Sequence, residues 1–102
     1  MATLHTVNKS PFQNQTLISC LGHAKVGDSV LLMEDGVYGA MSGTAMSEVV
    51  AGMGANVKLF VLGADVSARG IDASRVAEGI TSVNYEEFVG MAASCDRVQN
   101  WL

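Results

Sequence analysis

Two runs in this chain, Ser29 to Met33 and Val57 to Leu62, are apolar at nearly every step instead of every second one. A strand with one face in water alternates apolar and polar residues, whereas a strand covered on both faces has no reason to. Only Ser29, opening the first run, and Lys58, near the start of the second, break the pattern. Two doubly covered strands predict a parallel sheet with helices packed on it, because parallel strands need crossover connections and those connections are usually helical.

The remaining segments fit that frame. Ala2 to Val7 is rich in β-branched residues and ends at Asn8, Lys9, Ser10 and Pro11, which predicts a first strand and a turn. Ser10 with Gln13 has the spacing of a capping box, so a first helix is expected to start there. Within it Leu17, Cys20, Leu21 and Ala24 recur at the spacing of one helical face. Gly27 and Asp28 turn the chain into the second strand; one short and one longer helix are expected between Val37 and Ala55. After the third strand the pattern predicts a loop at Asp65 to Gly70, a short helix at Asp72 to Gly79 and a weaker strand at Ile80 to Tyr85. A last helix at Glu86 to Cys95 turns Phe88, Val89, Ala92 and Ala93 inward, and a tail ends in Val98, Trp101 and Leu102. The expected fold is a small layered α/β domain over residues 1–102, its mainly parallel sheet of four or five strands flanked by helices.

Composition narrows the function. Net charge is −4, with 6 Lys and Arg against 10 Asp and Glu, so there is no basic surface to neutralise nucleic-acid phosphates. Charged residues make up 16% of the chain against about 25% in a typical soluble domain, and 49% of residues are hydrophobic. With no apolar stretch near the roughly 20 residues of a membrane span, that surplus predicts burial against partner chains. The crowding of Met41, Met46 and Met53 points the same way, since methionine adapts to interfaces. Lys9 follows the first apolar run instead of preceding it, which is not a secretion signal, and a cytoplasmic location is expected.

No motif for a cofactor emerges. Gly52-Met53-Gly54 precedes a strand, whereas a dinucleotide loop must follow one, and it reads as a helix stop. Gly36, Gly39 and Gly43 follow the second strand without the Gly-Lys-Ser/Thr of a phosphate loop. Glu34 and Asp35 sit at a strand's carboxyl end but leave it on opposite faces, which suits capping better than shared acid–base work; Asp65 and Arg69 are expected to pair. Cys20-x-x-His23 is half of a zinc pattern, and His5 and Cys95 complete it only by count, so no metal is expected. A pair of cysteines in a reducing compartment stays as thiols.

Cys20 is the candidate catalytic residue. On an apolar stripe a cysteine ordinarily packs as a small hydrophobe, but His23 stands one turn further along the same helix and, if charged, would favour the thiolate. Cys20 lies beyond the first helical turn, so the helix dipole adds little; with only Lys9 or His23 to help, a nearly ordinary pKa is expected.

The string Leu4-His5-Thr6-Val7-Asn8-Lys9-Ser10-Pro11-Phe12, with Leu31-Leu32-Met33-Glu34-Asp35-Gly36-Val37-Tyr38, resembles the DsrH/TusB family. Leu59 to Gly63, Asp65, Ala68-Arg69-Gly70, Tyr85, Phe88-Val89 and Trp101 look like the rest of its pattern. The resemblance implies the smallest subunit of a cytoplasmic sulfur-relay complex, a dimer of heterotrimers with DsrE-like and DsrF-like subunits. It also implies a TusA-like or rhodanese-like sulfur donor and a DsrC-like acceptor. Cys20 matches a helix-one cysteine typical of the DsrH branch, which serves sulfur oxidation, whereas relatives in tRNA thiolation often lack it. By that match Cys20 is a candidate persulfide carrier, although the principal carrier of such complexes belongs to the DsrE or TusD subunit. No family role falls on Cys95.

Overall fold

The computed structural model describes residues 2–102 and holds five strands in one sheet, ordered β4-β3-β2-β1-β5, with every neighbouring pair parallel. In chain order the elements are β1 (Thr3–Val7), α1 (Thr16–His23), β2 (Ser29–Leu32), a 3-10 helix (Glu34–Ala40) and α2 (Ser47–Met53). They continue through β3 (Lys58–Leu62), α3 (Gly63–Ala68), a 3-10 turn (Ala73–Arg75), β4 (Ile80–Val83), α4 (Tyr85–Ser94) and β5 (Arg97–Trp101).

The order of strands dictates the layers. Steps from β1 to β4 all move the same way across the sheet, so right-handed crossovers place α1, α2 and α3 on one face. The return from β4 to β5 runs the other way and places α4 on the opposite face. The core divides accordingly. Leu17, Cys20 and Leu21 of α1, Val50 of α2 and Val66 of α3 pack with Val7, Val30, Leu32 and Val61. On the second face Phe88, Met91, Ala92 and Cys95 pack against Leu4, Leu31, Leu62 and Val83. Val30, Leu31 and Leu32 of β2 thus enter alternate clusters and are all fully buried, which is why that run shows no alternation.

Local chemistry moved several expected boundaries. Ser10 caps no helix: its Oγ accepts the N–H of Phe12, closing a turn, and α1 starts only at Thr16 with no side-chain cap. The true capping box is Asn84 with Glu87. Asn84 Oδ1 accepts the Glu87 N–H at 2.8 Å and Glu87 Oε1 accepts the Asn84 N–H at 3.0 Å, starting α4 at Tyr85. Residues 65–70, expected as loop, largely belong to α3, which begins directly where β3 ends. The helix expected at Asp72 to Gly79 is only the Ala73–Arg75 turn. In α4, Val89 and Ala93 face outward and Met91 with Cys95 takes their place against the sheet, because the earlier start fixes which side the capped helix presents. The tail forms the fifth strand, paired to β1 from Thr3↔Arg97 to Val7↔Trp101.

Gly36 shows how closely the 3-10 helix lies on the sheet. A Cβ there would overlap the backbone carbonyl of Val7, the same oxygen that accepts the Met33 N–H at 3.0 Å. Gly36→Ala should therefore destabilise the chain by about 3 kcal/mol through overpacking. Gly52→Ala, in α2 with open space at its Cβ, should stabilise it by about 0.5–1 kcal/mol. Urea unfolding of the two variants checks both signs.

Candidate functional site

Cys20 is held by α1 with its side chain toward the sheet and none of its surface exposed. Burial, then the negative charge of Asp28, push its thiol up to about 12, so the thiol form persists at neutral pH. Neither basic neighbour corrects this. His23 donates through Nδ1 to the carbonyl of Ser19 at 2.8 Å and leans on Trp101, with ring centroids 5.5 Å apart. Lys9 is exposed in the turn after β1. The nearly ordinary pKa expected from the sequence is thus replaced by a raised one, because the stripe that carries Cys20 is packed against the sheet.

Cys95 is half-buried on the α4 side, so the two thiols pack on opposite faces of the sheet and do not meet. Among the described residues no group of three or more His, Cys, Asp or Glu side chains is placed to hold a metal ion. The quartet of Cys20, His23, His5 and Cys95 is accordingly not assembled.

At the carboxyl edge of the sheet the acidic residues cap and pair. Glu34 adopts a left-handed backbone, φ 51°, and its N–H is accepted by Asp65 Oδ2 at 2.6 Å. Arg69 does not pair with Asp65 as expected; its Nε and a terminal nitrogen both reach Asp35 Oδ1, at 3.0 and 2.9 Å. Asp65 is already engaged across the turn by the Glu34 N–H, which leaves the guanidinium to Asp35.

A constellation that sequence reasoning did not single out lies on the α1 face, at the amino ends of the strands. Asp28 is almost fully buried and accepts from the N–H of Thr3 at 3.0 Å, the N–H of Lys25 at 3.0 Å and His5 Nε2 at 2.9 Å. His5 Nδ1 in turn accepts from Trp101 Nε1 at 3.0 Å. Desolvation would raise the Asp28 carboxyl, but the hydrogen bonds from Lys25, His5 and Thr3 outweigh it and hold the pKa at about 2. The available sequence signal was parity: His5 falls on the same sheet face as Val7, toward the core, where a polar ring requires a partner.

These features define a small all-parallel α/β domain with a buried core thiol and an internal polar clamp. Comparison with known proteins gives the family. Residues 9–98 match the family described as DsrH like protein. Protein TusB of Erwinia tasmaniensis is 36% identical over 96% of this chain and 99% of its own, and Protein TusB of an Escherichia coli O81 strain is 31% identical over the same shares. The chain belongs to the DsrH/TusB family. Its fold is that of the ychN protein from E. coli, with a TM-score of 0.75 and 19% identity over 98% of this chain and 99% of that one. Protein Tm0979 from Thermotoga maritima is similar too, at a TM-score of 0.66 and 20% identity, covering 91% and 92%.

Two expectations follow for the titrating groups. For Cys20 the folded pKa lies above the ordinary value, so its contribution to stability is full below pH 9 and declines as the pH rises toward 12. Cys20→Ala should flatten that alkaline decline, read as unfolding midpoint against pH. For Asp28 the folded pKa lies below the ordinary 3.8, so its contribution is present above about pH 4 and is lost as the pH falls toward 2. Asp28→Asn should cost about 2 kcal/mol at neutral pH by stripping charge from three buried hydrogen bonds, and should weaken the acid dependence.

Proposed function

We propose that this chain is a structural subunit of a cytoplasmic TusBCD-type sulfur relay, serving 2-thiouridine synthesis in tRNA, and that it organises its partners without carrying sulfur itself. The observation that carries this reading is the complete burial of Cys20 as a neutral thiol. Sulfane-sulfur transfer requires a thiolate to attack the outer sulfur of a donor persulfide, forming one S–S bond while the donor's breaks and its thiolate leaves. A thiol with a pKa near 12 is ionised in fewer than about one molecule in ten thousand at neutral pH, and here no donor sulfur can approach it. The TusB names of the relatives support the tRNA branch.

The second reading is a DsrH-type subunit acting in sulfur oxidation with Cys20 as a persulfide carrier. It is favoured by the presence of a cysteine on the first helix, and it requires α1 to move away from the sheet.

Partners of the same fold class, two copies of each subunit, would cover the apolar side chains this chain leaves in water. Phe12, Val49, Met53, Tyr85, Val89 and Val98 are all exposed, and charged residues are too sparse to shield them. A TusA-like or rhodanese-like donor and a DsrC-like acceptor would then act on the partner subunits.

Mass spectrometry of the complex, co-expressed with DsrE-like and DsrF-like subunits and exposed to polysulfide, separates the two readings. Reductant-reversible addition of sulfur to a partner, with none on this chain, is expected, and Cys20→Ser should leave partner loading unchanged. A gain of one sulfur on this chain that persists in Cys95→Ser and vanishes in Cys20→Ser would establish the carrier reading instead. Expressed alone, the chain should self-associate, whereas co-expression should give a discrete heterohexamer by analytical ultracentrifugation. A stable monomer at high concentration would count against obligate association.

A further inference from the structure

His5 exposes 6% of its surface, and each of its ring nitrogens has one partner. An indole N–H can only donate, so the Nδ1 that faces Trp101 Nε1 at 3.0 Å carries a lone pair. The proton of the neutral ring therefore sits on Nε2, where it is donated to Asp28 Oδ2. The tautomer is fixed from both sides.

Trp101 is in turn what ties β5 to the core. Arg97, Val98, Gln99 and Asn100 are all exposed, and Trp101 is the one residue of the strand that packs against the main cluster. Besides the main-chain ladder to β1, the strand has a hydrogen bond from Thr6 Oγ1 to Asn100 Oδ1 at 2.6 Å. Just before it, Asp96 Oδ2 accepts the Ala2 N–H at 2.8 Å.

We propose that His5 is a proton-operated latch on the last strand: protonation at Nδ1 turns the acceptor for Trp101 into a second donor, expels the indole and loosens β5 from β1. One proton is taken from solvent and no covalent bond changes, while the Trp101 hydrogen bond is lost and the β1–β5 ladder then loosens. Asp28 stays ionised and keeps its bond from Nε2, so the imidazolium remains anchored to the start of β2 while only the Trp101 side is lost. Among the described residues around the ring, Asp28 favours the added charge and Lys25 and Arg97 oppose it; His23, Thr3 and Gln99 complete the surroundings. With β5 displaced, the outer main-chain edge of β1 becomes open to pairing. This inference does not rest on the relay assignment and concerns the isolated fold as much as any complex.

Three measurements on the same sample test it. Long-range ¹H–¹⁵N spectra at neutral pH should show His5 protonated at Nε2 and bare at Nδ1. On acidification, the emission of the chain's single tryptophan should shift to the red, and the protection factors of amides 97–101, taken against the intrinsic exchange rate at each pH, should fall at least tenfold, both with the midpoint of the His5 signals. Amides of β2 and β3 should stay protected through that step. Because His23 also touches Trp101, His23→Gln is the control and should retain the transition, whereas His5→Gln should abolish it. An Nδ1–H tautomer at neutral pH would overturn the latch. So would a His5 titration that leaves the protection factors at 97–101 unchanged, or a transition that disappears with His23.

Discussion

Everything in this structure is arranged around β2, a strand whose last three residues touch no water. Val30, Leu31 and Leu32 of β2 are fully buried, and their alternate side chains commit the chain to two separate apolar layers. One layer receives three helical connections and the other receives only α4, because four strands are laid down in one direction and the fifth is reached by doubling back. The imbalance leaves the α4 side thinly covered, and a thin cover in a sparingly charged chain is consistent with a subunit completed by its neighbours.

The same packing decides the chemistry of Cys20. Its helical spacing with Leu17 and Leu21 turns it toward the sheet, and the position that makes it a good core residue withholds the solvent and positive potential a nucleophilic thiolate needs. Membership of the DsrH/TusB family and burial of the thiol are thus compatible: a relay subunit need not be a relay station.

The parallel sheet was legible because β2 and β3 lack alternation, and the helix-one stripe because Leu17, Cys20 and Leu21 obey a 3.6-residue period. What escaped was set by competition between local signals. Ser10 and Asn84 both stand three residues before a side chain able to cap, yet Ser10 spends its hydroxyl on the Phe12 N–H while Asn84 forms the reciprocal pair. β5 reads as an irregular tail since four of its five residues are exposed, and its strand character comes from β1, far away in sequence. The clamp of Asp28, His5 and Trp101 was missed for the same reason: the parity of His5 marks it as inward, but its partners are identified only when the sheet aligns the starts of β1, β2 and the length of β5.

That last strand also has a consequence for how the chain comes to be folded. Thr6 and Asn100 meet across 94 positions of sequence, and β1 acquires its second neighbour only from β5, which follows the other four strands in the chain. Residues 3–94 can collapse first around β2, but the outer edge of the first strand stays bare until β5 is available to pair with it. Pairings of such long range are the slow ones in folding, so the interval of greatest danger from misassociation falls late in folding, before β5 docks, rather than at its beginning.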